Sequence, residues 1–326
     1  MRKRLLIAAT VLAAALAGPV LAQDYPSRPI TMIAPFPAGG PTDTVARIMA
    51  DRMKVSLGQS IIIENVSGAG GTIGMGRVAH AAPDGYTIGV GNWTNQVGGG
   101  PLYPLSFDVL KDFEPVALLT VSQLLILGKT GLPANNLKDL MAWIKTNQGK
   151  VTAATVGAGS AAHICLVYLQ NYVGATFQFV PYRGGAPALQ DLVAGQIDLS
   201  CLEAASSMPQ VRAGKMKAFA VMSKQRWFGA PEIPTADEAG AAGVNMPFWH
   251  GLWAPKGTPR EVVAKLNAAV VEAFADPAVR AQFAKIGHEI PPREELTPQA
   301  LHAYHKAEAE KWWPIIKDAN VKVEGN

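Results

Sequence analysis

Ser160 and His163 carry the side chains that nucleophilic catalysis needs, and Asp198 supplies a third partner further along. Their setting argues against that use. Gly157-Ala158-Gly159-Ser160-Ala161 departs from the GxSxG turn that exposes a serine nucleophile. A serine that opens a helix is better employed as an N-cap or an anion ligand, with His163 in the core or behind the ligand. The glycine-rich run 68–76 offers a second chemistry, since it follows a strand pattern and precedes a helix, as a dinucleotide fingerprint does. Gly68, Gly70 and Gly74 miss the GxGxxG spacing, however. The acidic residue expected at the next strand end is missing too, because Asp84 lies in a turn. The run reads instead as close helix–sheet packing or a lobe hinge.

The third chemistry is anion binding, and the chain is organised around it. Pro35-Phe36-Pro37-Ala38-Gly39-Gly40-Pro41-Thr42-Asp43 joins an apolar strand pattern, 30–34, to apolar residues at helical spacing, Val45, Ile48, Met49, Met53 and Leu57. Gly39 and Gly40 let backbone approach a ligand. Pro41 suits a first helical position. The free N–H groups of that first turn, at the positive end of the helix dipole, favour a small carboxylate.

This device recurs. Small or polar loops open helices at Ala38-Gly39, at Asn92-Trp93-Thr94, at Gly159-Ser160 and at Arg183-Gly184. In open α/β sheets ligands bind beyond the carboxyl ends of strands. Two lobes with such loops would face each other across a cleft, with Arg183 adding a charge-assisted bond. Glu203 lies just past a strand end, where it would contact or repel a substrate. Trp93 reads either as a stacking platform for an aromatic acid or as a core residue.

The elements that must position these loops alternate strand and helix, which predicts parallel sheets covered by helices. Further strands are expected at 61–64, 86–90, 151–156, 177–181, 197–201, 219–222 and 248–254, and one long apolar strand at 116–127. Thr258, Pro259 and Glu261 read as a capping box, Asp276-Pro277 as another helix start and Thr297-Pro298 as the last.

Arg2, Lys3 and Arg4, an apolar run over 5–16 and Val20-Leu21-Ala22 before Gln23 form the pattern of a cleaved secretory leader. The formal charge of +4 belongs mostly to that leader. Without its three basic residues the chain keeps 26 basic against 25 acidic. No basic block remains to bind nucleic acid. Cys165 and Cys201 are compatible with a disulfide in an oxidising compartment and equally with two buried thiols. No CxxC or Cys/His cluster points to a metal, and no cofactor is expected.

The chain resembles the Bug family, the extracytoplasmic solute receptors of tripartite tricarboxylate transporters. The resemblance rests on Tyr25-Pro26-Ser27-Arg28-Pro29-Ile30, on Pro35-Phe36-Pro37-Ala38-Gly39-Gly40 with Asp43, and on Gly68-Ala69-Gly70-Gly71. It continues through Pro83-Asp84-Gly85-Tyr86-Thr87, Asp112-Phe113-Glu114-Pro115-Val116 and Gly159-Ser160 with His163. Val180-Pro181-Tyr182-Arg183-Gly184, Asp191-Leu192 with Gly195 and Asp198, and Ala254-Pro255-Lys256-Gly257-Thr258-Pro259 complete it. The resemblance implies that Phe36, Ala38, Gly39 and Asp43 serve the ligand from one lobe, and Gly159, Ser160 and Ala161 from the other. Asp43, itself an anion, is expected to fix the loop, hold a water or meet a ligand amine. Val97-Gly98-Gly99-Gly100-Pro101 stands where many members carry Asn-Pro, and Arg183 replaces a common lysine.

The expected fold is a two-lobed α/β periplasmic binding protein, type II-like, each lobe a mixed sheet flanked by helices, joined by crossover strands near residues 120 and 250. The expected segments are a leader at 1–22, lobe 1 at 23–124, lobe 2 at 125–246 and a return to lobe 1 at 247–326. The expected function is a monomeric, non-enzymatic periplasmic receptor that delivers a small aliphatic or aromatic carboxylate to a membrane transporter. The alternatives are a ligand-presenting sensor and an exported serine hydrolase using Ser160. The candidate ligand set is Phe36, Ala38, Gly39, Thr42, Asp43, Asn92, Trp93, Thr94, Gly159, Ser160, Ala161, His163, Arg183 and Glu203.

Overall fold

A computed structural model describes residues 25–182 and 184–318. The expected leader at 1–22 lies outside the described residues. One sheet contains β1 (Ile30–Ala34), β2 (Ile61–Asn65), β3 (Thr87–Asn92), β4 (Phe113–Ser122) and β10 (Phe248–Pro255) in the order β2-β1-β3-β10-β4. The other contains β5 (Leu124–Lys129), β6 (Thr152–Thr155), β7 (Gln178–Pro181), β8 (Leu199–Glu203) and β9 (Met216–Val221) in the order β7-β6-β8-β5-β9. In each sheet four strands run in one direction, and the fifth, β10 or β5, lies antiparallel between its neighbours.

The helices are α1 (Pro41–Leu57), α2 (Thr72–Ala79), α3 (Gly99–Leu102), α4 (Leu137–Thr146), α5 (Ala161–Val173), α6 (Gly185–Val193), α7 (Ala204–Arg212), α8 (Arg260–Ala275), α9 (Pro277–Lys285) and α10 (Pro298–Asp318). α1 begins at Pro41, and its buried face is Val45, Ala46, Met49, Ala50, Met53 and Leu57. These residues repeat at three and four positions, as a helix packed on one side of a sheet requires. In the glycine-rich run, a Cβ on Gly74 would stand 2.5 Å from the Val66 carbonyl oxygen and 2.8 Å from Pro35. The run therefore serves close packing of α2 against the first sheet.

Three expectations need correcting. The apolar run 116–127 is two strands: β4 ends at Ser122, Gln123 crosses, and β5 joins the other sheet. Both strands are almost wholly buried, so hydropathy gave no break. Thr258 is no cap: α8 starts at Arg260, and the Thr258 hydroxyl donates to the Pro255 carbonyl at 2.8 Å. The third strand runs on to Asn92, and a five-residue π-helical turn, Thr94–Gly98, follows it.

Cys165 on α5 and Cys201 on β8 form a disulfide inside lobe 2, with Cα atoms 6.3 Å apart and a sequence separation of 36. Closing a loop of that length removes chain entropy from the unfolded state. We expect the double variant Cys165→Ser, Cys201→Ser to lose about 3–4 kcal/mol of unfolding free energy by that entropy. Urea titration with and without reductant reads this directly. A midpoint indifferent to both would show that the bond does not stabilise the lobe.

Candidate functional site

The first loop must stay rigid while leaving N–H groups free, and Asp43 reconciles the two. Its carboxylate is 2% exposed and turns inward. It accepts the Gly39 N–H at 2.8 Å, Asn65 Nδ2 at 2.9 Å and Arg47 Nε at 2.8 Å. Asn65 also donates to the Phe36 carbonyl at 2.9 Å. Gly39 takes φ 81°, a left-handed value that suits its lack of a Cβ. Burial pushes the Asp43 carboxyl up, but the Arg47, Gly39 and Asn65 hydrogen bonds outweigh it and hold the group below its usual range. Ala38 and Gly39 remain exposed and Phe36 half-buried. Among the described residues, no backbone acceptor meets the Thr42 and Asp43 N–H groups.

Thr42 is not a free hydroxyl. Its Oγ1 lies 3.0 Å from Asn92 Nδ2 and 3.0 Å from His250 Nε2. Asn92 Oδ1 in turn accepts the Thr94 N–H at 3.0 Å. Thr94 Oγ1 accepts the Ala161 N–H, the first of α5, at 3.3 Å. The N-termini of α1, in lobe 1, and of α5, in lobe 2, thus converge on Asn92 and Thr94.

Ser160 is the N-cap of α5. Its Oγ accepts the His163 N–H at 3.2 Å and donates to the Gly157 carbonyl at 2.8 Å. His163 Nδ1 accepts the Gly159 N–H at 3.1 Å, and its ring packs on Phe179. Burial pulls the His163 imidazole down to about 4, so it is neutral at pH 7. Serine hydroxyl and imidazole are both committed to backbone, and among the described residues the Ser160 hydroxyl has no side-chain base as a hydrogen-bond partner. Asp198 is held elsewhere, by Lys129 and Thr152.

The two lobes touch through backbone. A Cβ on Gly98 would lie 2.7 Å from the Gly159 carbonyl oxygen, and the Tyr103 hydroxyl donates to the Ala158 carbonyl at 3.1 Å. Trp93 takes the core reading: it is fully buried, its indole N–H donates to Glu308 Oε2 at 3.2 Å, and its ring meets Trp312 edge-on. The aromatic platform is therefore corrected, because both faces are spent in the core. Glu203 lies at the lobe junction, accepting Ser122 Oγ at 3.1 Å and standing 3.4 Å from His288 Nε2. Arg183 lies outside the described residues. Sequence reading missed His250, Thr120 and His288, buried polar groups joined to Thr42; a histidine inside the apolar run Phe248-Trp249-His250 was the available signal. A surface hollow of about 410 Å³ in lobe 2, lined by Met208, Arg212, Phe219 and Glu232 among others, contains none of the candidate residues.

Residues 45–321 match the model of the tripartite tricarboxylate transporter family receptor. BugT of Bordetella pertussis is 33% identical over 313 residues, 95% of each chain. Among solved structures, MatC from Rhodopseudomonas palustris with bound malate is 39% identical, with TM-score 0.83, covering 90% of this chain and 100% of that one. Rpa4515 of the same organism, solved with adipate, is 30% identical, with TM-score 0.84, covering 92% and 99%.

Two outcomes test the geometry. Asp43→Asn should cost about 1–3 kcal/mol at pH 7, since the loop loses a charged acceptor. Because the native pKa is depressed, this stabilisation is complete above about pH 5 and is lost as pH falls through the lowered native value. The gap between variant and wild type in urea titrations should therefore close below about pH 4; a gap independent of pH would refute the ionic role. Gly98 has ordinary helical φ of −62°, so Gly98→Ala strains only the contact with Gly159 and Trp93. It should splay the lobes, raise the radius of gyration in solution scattering and weaken ligand binding by roughly five- to a hundredfold, the range for overpacking. Unchanged scattering and affinity would remove the seam from the closing surface.

Proposed function

The chain belongs to the tripartite tricarboxylate transporter receptor family, and from that premise we propose that it carries a small aliphatic dicarboxylate between its lobes to the membrane subunits of such a transporter. The family consists of periplasmic receptors of small carboxylates, not of enzymes. The observation that carries the ligand reading is the convergence of two helix N-termini, one from each lobe, on Asn92 and Thr94. One carboxylate would take the free N–H groups at the start of α1, and the other the start of α5, where the dipoles favour anions. The malate and adipate carried by two relatives are dianions of matching design. Ala38, Gly39 and Phe36 would shape the first end and Gly159, Ser160 and Ala161 the second, with Arg183 as a further cation. Asp43 and Thr42 act by fixing the loop. A leader removed before Gln23 and a monomer in solution complete the proposal.

Binding would stabilise the closed arrangement by differential affinity, since ligand touches both lobes only when they meet. The test is thermal melting of the exported chain against malate, adipate, citrate, benzoate, phthalate and amino acids. Ligand at about a hundred times its dissociation constant adds roughly 2.7 kcal/mol, so the selected acid should raise the midpoint by a few degrees. Selection of malate or adipate is the expected outcome. A response confined to aromatic acids or amino acids would overturn the dicarboxylate reading.

A further inference from the structure

The π-helical turn that follows β3 buries more polar groups than it pairs. Asn95 and Gln96 are both 0% exposed. Among the described residues, Asn95 Nδ2 and both polar atoms of the Gln96 side chain meet no hydrogen-bond partner. A buried donor without an acceptor is costly, and folded proteins hold few of them. Gln96 turns inward, with its Nε2 2.8 Å from where a Cβ on Gly91 of β3 would stand and the Trp253 ring at the same place. Asn95 reaches the other way. Its Oδ1 accepts the Asn92 N–H at 3.1 Å, which fixes the amide orientation and leaves Nδ2 on the far side. Nδ2 lies 2.8 Å from where a Cβ on Gly71 would stand, and the tip of the Phe36 ring lies 3.0 Å from that same point.

The space in front of Gly71 adjoins the cleft. Phe36 belongs to the first ligand loop and is half-buried, and Gly71 is the residue before α2. The segment leading to it keeps positive φ at every position from Gly68 to Gly71, including 47° at Ala69. Strained backbone of this kind concentrates at ligand sites. The residues around Asn95 already serve both lobes: Asn92 holds Thr42 at the start of α1, and Thr94 takes the first N–H of α5. The turn is braced from behind by α10. His305 Nε2 donates to the Gln96 carbonyl at 2.7 Å, the Trp313 indole N–H donates to the Val97 carbonyl at 3.0 Å, and Trp93 is tied to Glu308. Asn95 is thus an unpaired amide donor on a rigid mount, facing a phenyl ring that has no lone pair to accept it.

We propose that Asn95 is a specificity-determining residue that reads the carbon next to the ligand's first carboxylate, an assignment that rests on the reading of this cleft as the ligand site. On binding, the Phe36 ring turns aside and Asn95 Nδ2 donates to an oxygen on that carbon, either a hydroxyl or a keto oxygen. The protein thereby selects α-oxygenated dicarboxylates over plain ones. A methylene at the same place leaves the donor buried and unpaired, as it is without ligand. An ammonium group brings a second donor against the first, so α-amino dicarboxylates are disfavoured as well. Asp43 offers such an ammonium no relief, because its carboxylate is already spent on Gly39, Asn65 and Arg47. Discrimination by a buried donor of this kind exceeds what an apolar pocket achieves, since the wrong ligand strands a polar group.

The test is calorimetry of the exported chain with two ligand pairs, malate against succinate and α-ketoglutarate against glutarate. In the wild type the oxygenated member of each pair should bind about five- to a hundredfold tighter, the worth of one buried donor satisfied. Asn95→Ala should bring each ratio close to one. Loosening of the turn alone would weaken both members of a pair and leave the ratio as it was. Asn95→Asp keeps the oxygen that accepts the Asn92 N–H and replaces the donor by an acceptor. It should make α-ketoglutarate bind more weakly than glutarate, while malate, whose hydroxyl can donate, keeps its place beside succinate. Equal affinities within both pairs in the wild type, or a preference that survives Asn95→Ala, would overturn the role of Asn95 and leave the cleft reading intact. Silence of the wild type toward all four acids would refute the cleft reading and this assignment together.

Discussion

A loop that binds anions through its backbone must solve a conflict: its N–H groups have to remain unpaired, yet unpaired backbone is free to move. In this protein the conflict is settled by a buried internal anion. Asp43 takes the Gly39 N–H and ties the loop to Asn65 on the neighbouring strand and to Arg47 one helical turn on. The loop is thus held from behind, and the N–H groups of the first turn of α1 stay at its front. The same solution recurs in lobe 2 with neutral groups. Ser160 and His163 there hold Gly157 and Gly159 through side chain–backbone bonds. Both helix starts inherit their precision from residues that bond backbone.

Much of this was readable because its physics is local. Pro41 and Ser160 sit at helix starts, where their own geometry places them, and the strand–helix alternation carried the two mixed sheets. What escaped reading is tertiary. The crossing at Gln123 was hidden because β4 and β5 are buried on both sides, so one apolar run covers two strands in two sheets. Trp93 could be placed only by knowing that Glu308, 215 residues away, would offer its carboxylate to the indole. The pairing of Cys165 with Cys201 likewise depends on where α5 lies on β8. His250 looked like part of an apolar strand, and only the register of three strands shows it in a polar row with Asn92 and Thr120.

The lobes differ in how they are held together. Lobe 2 has a covalent tie between its central helix and its sheet. Its contacts to lobe 1 include glycine backbone, Thr94, Tyr103, the Glu203 junction, the Trp227 indole on the Gly287 carbonyl and the Tyr168 ring against Trp312. Buried apolar residues of both lobes, among them Val97 and Trp312 from one and Ile126 and Leu166 from the other, also form one continuous cluster. A ligand that bonds to both lobes adds to this seam only when they meet, and so biases the closed arrangement.

The position of β10 has a consequence for how the molecule is made. This strand lies between β3 and β4, yet it follows them by more than a hundred residues, after the whole of the second sheet. Until residue 255 is available, β3 and β4 are separate edges with no common neighbour, and the first sheet cannot be completed. Lobe 2, whose five strands are contiguous in sequence, can finish first. The chain therefore withholds its last large gain in stability until nearly all of it has been made. Late insertion of a central strand makes completion of the first lobe wait on the second.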